Sequence, residues 1–301
     1  MSANNRNKLY FSNVAALPDN SAVICGHLVC EGSEPTATLV VHYKNGKWKL
    51  IAKVADVVNQ IIYKGSIKEG NVVCVLGRNG YIAEYLVENR ELISENIVPA
   101  RGIGYLEAIT YKNNAYYIAG SDHEIIKYAD NSFYHYDDYL SPTPLHEKKY
   151  LSIACGEEIY CCGTQGSVIV GDGVSWNSIE SPTNIDLNVV FCTKNGHVYF
   201  ASGGGLLWRY SNHDGWTEYE CDDNVIFWNV TEFHDELYLA AGTSIYKFNG
   251  SEIVKIQMPP DYDCEIYSMS SSLESIWLVG DEYLHQFDGE KWTKHVSPTN
   301  E

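Results

Sequence analysis

Residues 237–250 read LYLAAGTSIYKFNG: an apolar run closing on Gly242, a second run closing on Phe248, then an Asn-Gly pair. Runs rich in Tyr, Leu and Ile favour strands, where broad side chains fill a pleated, half-buried surface. Asn-Gly accepts the positive φ angles of a two-residue hairpin turn. The stretch therefore predicts two antiparallel strands and the turn into a third. Its first half recurs along the chain. The runs AVICG, VVCVLG, AYYIAG, IYCCG, VYFASG, LYLAAG and SIWLVG end on Gly26, Gly77, Gly120, Gly163, Gly203, Gly242 and Gly280. Successive spacings are 51, 43, 43, 40, 39 and 38 residues. The second half recurs as well, in runs such as IIKY, LWRY and LHQF, and in turns at Asn45-Gly46, Asp172-Gly173, Asp214-Gly215 and Asp288-Gly289.

A period near 40 residues that holds four short strands is the pitch of a β-propeller blade. The predicted fold is all-β, a seven-bladed β-propeller with four-stranded antiparallel blades in one domain, 1–301. Blades are placed at 9–54, 59–98, 105–140, 150–180, 187–220, 226–258 and 265–297. Almost no residue is left over, and no ten-residue window carries a helical apolar period. Blades one and seven each own four strands, so closure is expected through face packing without strand exchange. The blade grammar resembles the seven-bladed propeller superfamily in the style of WD-repeat, kelch and Asp-box proteins. The Gly-His and Trp-Asp pairs of WD repeats and the double glycine of kelch do not recur from blade to blade, so no subfamily is assigned.

Composition narrows the function. Thirty-nine acidic residues stand against 21 basic, a net charge of −18, which argues against nucleic acid as a ligand because its backbone needs a basic footprint. No apolar stretch is long enough to span a membrane as a helix, and the N-terminal MSANNRNKLYFSN lacks a signal-peptide core. Most of the nine cysteines sit inside apolar strand runs, as buried reduced thiols do. A cytoplasmic location is expected.

Chemical motifs are sparse. Asp-box propellers include sialidases, whose resemblance would imply an arginine triad, but Arg6, Arg78, Arg90, Arg101 and Arg209 are the only arginines, and their places in the pattern do not converge. Asp122-His123-Glu124 is the nearest local cluster of metal-capable residues, and three adjacent residues cannot all face one ion. It reads as a solvated polar loop. Gly203-Gly204-Gly205 has no following helix and no lysine to make a phosphate cradle, and reads as a tight turn. No catalytic residue, cofactor or metal is predicted. Trp48, Trp176, Trp216 and Trp292, one to three residues after turn glycines, read as staples of the outer strand.

Strand alternation places the second-to-third-strand turns and the blade-to-blade connections on one face. Its predicted loops hold thirteen acids against four bases. Two loops exceed what the repeat needs, 27–36 and 141–149, and lengthened loops are where a scaffold carries specificity. The predicted partner-binding residues are Glu31, Glu34, Tyr105, Asp122, Glu124, Asp186, Asp222, Asp223, Asp261, Tyr262, Asp263, Asp281 and Glu282. In style and charge the chain resembles small acidic propellers that act as immunity proteins against bacterial toxins. That resemblance implies a non-enzymatic binder of a basic protein, a toxin domain. The alternative is an enzyme or small-ligand binder, for a carbohydrate for example, at the mouth where the blade loops converge.

Overall fold

The computed structural model describes residues 8–29, 35–101, 104–136, 149–259 and 262–298. Within these residues twenty-eight strands form seven sheets of four, each sheet antiparallel and each in consecutive strand order. The chain is a seven-bladed β-propeller, with blades at 8–54, 58–97, 106–135, 150–178, 187–220, 229–255 and 268–296. Among the described residues the only helical element is the single 3-10 turn Thr164–Gly166.

Second strands are buried on both faces: Ala115–Gly120, Ile159–Gly163, Val198–Ser202 and Ile276–Gly280 are buried throughout. Their neighbours cover both sides, which is why they read as unbroken apolar runs rather than alternating ones. Fourth strands are the opposite; Glu91–Ile97 is exposed at every residue. Fully burying one Val, Ile or Leu contributes about 1.5–3 kcal/mol, so each blade is held mainly by its second strand.

The chain divides into two compact units, Met1–Asn96 with Met258–Glu301, and Ile97–Gln257. In the first, Leu17, Val23, Val40, Val58, Val73 and Val75 make a core of blades one and two. Blade one also packs on blade seven, where Phe11, Ile24 and Tyr43 meet Trp277, Val279 and Leu284. Each of these two blades keeps its own four strands. The backbone N–H of Phe11 donates to Asp281 O at 2.6 Å, while those of Val14 and Ala16 donate to Ser268 Oγ at 3.2 Å and Ser270 Oγ at 3.1 Å. In the second unit, cores of the same kind form between blades three and four, four and five, and five and six.

The turn tryptophans staple the blades. Trp48 stacks on Phe11, Trp176 packs on Tyr117, Trp216 on Phe200 and Tyr210, and Trp292 stacks on Phe287. Turn chemistry differs from the sequence expectation. Asn45-Gly46 is a two-residue turn with both φ positive. Asp172, Asn249 and Asp288 instead begin four-residue turns, and each side-chain Oδ1 accepts two backbone N–H groups. These side chains mimic a backbone turn, so only the following glycine needs positive φ. The same hydrogen bonds, from Ser175 and Val174 and from Lys291 and Glu290, hold the Asp172 and Asp288 carboxyls below the usual range.

Candidate functional site

Within the Ile97–Gln257 unit, the 221–228 connection between blades five and six, CDDNVIFWN with its following Asn229, carries the most distinctive exposed surface. Asp222 and Asp223 are exposed, Ile226 is exposed, and Trp228 is 55% exposed, whereas Phe227 between them is fully buried. The backbone explains this alternation. Phe227 N donates to Ser202 O at 3.0 Å and Trp228 N to Ala240 O at 3.0 Å, so the chain is already extended and one ring points in while the next points out.

The connection is clamped from beneath. Gly205 N donates to Val225 O at 2.8 Å, Cys221 N to Gly205 O at 3.1 Å, and Tyr246 Oη to Asp223 Oδ2 at 2.6 Å. A Cβ on Gly205 would overlap Asp223 O, and its φ is +71°. The triple glycine is thus the tight turn expected, and its purpose is close approach of the 221–228 backbone. Burial and the Asp223 carboxylate push the Tyr246 phenol up, so it stays a donor.

The other predicted residues disperse. Tyr105, Asp186 and Asp263 are exposed, and Asp186 accepts the Gln165 backbone N–H at 2.9 Å. Asp122 is half-buried in a turn with positive φ at both Asp122 and His123. Glu124 is only 3% exposed; it accepts the Arg101 N–H at 2.6 Å and faces His135 Nδ1 at 3.5 Å. The expected solvated loop at 122–124 is therefore a structural turn, because a buried carboxylate must be hydrogen-bonded, and Glu124 offers no contact surface. In the first unit, Tyr262 is half-buried with its ring edge-on to His285. Asp281 accepts the Tyr267 hydroxyl at 3.1 Å, and Glu282 pairs with Lys8 at 2.6 Å. Glu31, Glu34, Asp261 and nearly all of the 141–149 insertion lie outside the described residues, as does the tip of the 27–36 loop.

Sequence reading missed Trp228 and Ile226. The signal was present: in an extended segment neighbouring side chains point to opposite faces, so an inward Phe227 turns Trp228 outward. Among the described residues no group of three His, Cys, Asp or Glu could hold a metal ion, and no helix is long and apolar enough to cross a membrane. The eight described cysteines are free thiols. Burial pushes up the thiols of Cys25, Cys155, Cys161, Cys162, Cys221 and Cys264, and that of Cys192 to about 12, which makes them poor nucleophiles.

No family model matches the chain. A curated relative does, the Immune protein Tsi7 of Pseudomonas aeruginosa, 24% identical over 255 residues, which are 82% of this chain and 80% of that protein. The chain is similar to an immune protein. Among solved structures, a catalytically inactive virginiamycin B lyase from Staphylococcus aureus with quinupristin superposes with a TM-score of 0.71 at 12% identity, over 93% of this chain and 94% of that one. Raptor from Chaetomium thermophilum gives 0.72 at 10% identity, over 97% of this chain and 28% of that one. At these identities the two structures speak for the propeller fold alone.

Proposed function

We propose that the chain is a non-enzymatic immunity protein that captures a basic toxin domain through its exposed acidic loops. The observation that carries this reading is the similarity to an immune protein over four-fifths of both chains. The rigid 221–228 connection supplies a physical means. Asp222 and Asp223 steer a basic protein, an effect that raises association rates about 10- to 1000-fold in low salt. Trp228 and Ile226 then give the apolar contact that slows dissociation, since tryptophan is enriched among residues that dominate interface energy. The reading puts the chain in the cytoplasm, where free buried thiols stay reduced.

The experiment is capture from the native host across a salt series, followed by identification of the bound protein. That protein should be basic, arrest growth when expressed alone, and be neutralised by co-expression of this chain. Converting Asp222 and Asp223 to Lys should lower the association rate and flatten its salt dependence. An unchanged rate at low salt would remove the electrostatic part of the proposal, and absence of neutralisation would remove the whole.

A further inference from the structure

Four Asn-Gly pairs stand in the chain, at 45–46, 79–80, 195–196 and 249–250. A glycine after asparagine leaves the following backbone nitrogen uncrowded, so that nitrogen can reach the carbon of the asparagine side-chain amide. The structure separates the four pairs by what holds these two groups. Asn79 is held at both: its Nδ2 donates to Asp56 Oδ1 at 2.7 Å, and Gly80 N donates to Gly77 O at 3.0 Å. At Asn195 the side-chain Oδ1 accepts the Thr193 hydroxyl, and Gly196 N donates to Thr193 O at 3.0 Å. Asn249 has its amide fixed at both ends. Its Oδ1 accepts Ser251 N at 3.0 Å and Glu252 N at 3.1 Å, and its Nδ2 donates to Glu252 Oε1 at 3.2 Å.

Asn45 differs. It is exposed, and its side-chain amide bonds to no described residue. Gly46 N donates to the Tyr43 hydroxyl at 3.2 Å, at the long end of the range for such bonds. Nothing lies within 4 Å of where a Gly46 Cβ would stand, so water reaches the pair. The turn also has little tolerance for a longer backbone. Asn45 and Gly46 close it in two residues, with φ of +50° and +75°, and pair Lys44 with Lys47. Just beyond, the Trp48 ring stacks on Phe11 at 5.6 Å and tilts against Tyr43 at 4.8 Å.

We propose that Asn45 is a site of self-modification, where the folded chain deamidates and forms isoaspartate. The Gly46 nitrogen gives its proton to solvent base and bonds to Asn45 Cγ. The Cγ–Nδ2 bond breaks, ammonia leaves with a proton from water, and a five-membered imide closes. Water then opens the ring. Breaking the bond from nitrogen to Cγ leaves aspartate on an unchanged backbone. Breaking the bond from nitrogen to the main-chain carbonyl carbon leaves isoaspartate, with the chain running through Cβ and Cγ. Water is the sole co-reactant, and nothing is oxidised or reduced. The isoaspartyl backbone is longer by one carbon, so a two-residue turn cannot keep both its positive φ angles and the Lys44–Lys47 register. Trp48 is then drawn off Phe11, and blade one loosens. The product is chemically a substrate for methyl transfer to its free α-carboxylate. The proposal stands apart from toxin capture, since it uses no residue of the 221–228 connection.

The test is incubation of the full chain in warm, mildly alkaline buffer. Amide loss is followed by peptide mass, and isoaspartate by labelled methyl transfer from S-adenosylmethionine through an isoaspartyl methyltransferase. Asn45 should lose its amide about tenfold faster than each of the other three, the factor carried by one hydrogen bond that need not be broken. In urea the four rates should converge. Thr193→Val, which releases the Asn195 amide, should speed loss at Asn195 severalfold. The isoaspartyl form, separated by ion exchange, should melt earlier than the parent. Asn45→Asp, which has the same added charge on the native backbone, should melt with the parent. Faster loss at Asn79, Asn195 or Asn249 in the folded chain overturns the proposal. So does a lead of Asn45 that persists in urea, an unchanged Asn195 rate in Thr193→Val, or an isoaspartyl form that melts like the parent.

Discussion

Five of the seven repeat glycines are there because something else occupies the space of a side chain. A Cβ on Gly163 would overlap Lys149 O, on Gly280 it would overlap Glu265 O, and on Gly77 it would overlap the Asp56 carboxylate. On Gly120 and Gly26 it would sit 2.8 Å from Tyr105 O and 2.9 Å from Tyr10 O. In each case the end of the second strand is crossed closely by its own first strand or by the connection leading into a strand. Asp56 shows what this achieves: buried, it accepts hydrogen bonds from Val57 N at 2.7 Å, Asn79 N at 3.1 Å and Asn79 Nδ2 at 2.7 Å. Gly203 is different, with only Ile226 near at 3.6 Å. Gly163→Ala should therefore cost about 1–3 kcal/mol, as forced overpacking does, whereas Gly203→Ala should cost under about 1 kcal/mol. Urea midpoints of the two variants measure the contrast, and equal losses would contradict this account of the repeat.

At the scale of the element, the tryptophans separate into two kinds. Trp216 is packed by Phe200 at 5.0 Å and Tyr210 at 4.8 Å between ring centres, and its Nε1 donates to Glu180 O at 2.9 Å. Trp216→Ala should lower stability by about 2–4 kcal/mol, through lost burial and ring contacts. Trp216→Phe should recover a good part of that. Trp228, outside its own sheet, makes the opposite prediction. Trp228→Ala should leave the melting temperature nearly unchanged and slow no folding step, yet shorten the lifetime of the proposed toxin complex. A thermal melt beside a dissociation-rate measurement separates the two roles, and a Trp228 variant that melts early but dissociates normally would make that residue structural.

Across the whole molecule, histidines set an uneven response to acid. His27, His42 and His295 are all pushed below 6.5 by burial, and all three belong to the unit Met1–Asn96 with Met258–Glu301. A histidine held neutral in the fold takes its proton more readily when unfolded. Stability is therefore full above pH 6.5 and declines as pH falls from there toward each lowered folded value. His42, whose Nε2 is 3.0 Å from Ser21 Oγ, and His295, whose Nδ1 is 2.8 Å from Tyr43 Oη, sit at polar contacts that protonation would disturb. Amide exchange, corrected for intrinsic rates, should show blades one, two and seven losing protection before the others between pH 7 and pH 5, a window about the ordinary histidine value. His42→Gln should reduce the slope. Uniform loss in both units would count against the assignment.

Strand content and blade number were legible in the chain, because apolar runs, their 38- to 51-residue spacing and the Asn-Gly and Asp-Gly pairs are local signals that each blade repeats. The turn tryptophans were legible for the same reason. The side-chain capping of the 172, 249 and 288 turns was not, since one dipeptide serves two turn types and the choice lies in a hydrogen bond. Nor was the fate of the acids. Asp222, Asp223 and Glu124 look alike in sequence, yet two are exposed and the third is buried against Arg101 and His135. Exposure depends on which distant backbone folds over a residue, and in a repeat of about 40 residues the covering segment comes from another strand or blade. Glu232 and Arg209 meet at one cleft from neighbouring blades, 23 positions apart, and only tertiary packing brings them together. Periodicity determined the scaffold; the packing of one blade against the next decided what that scaffold presents.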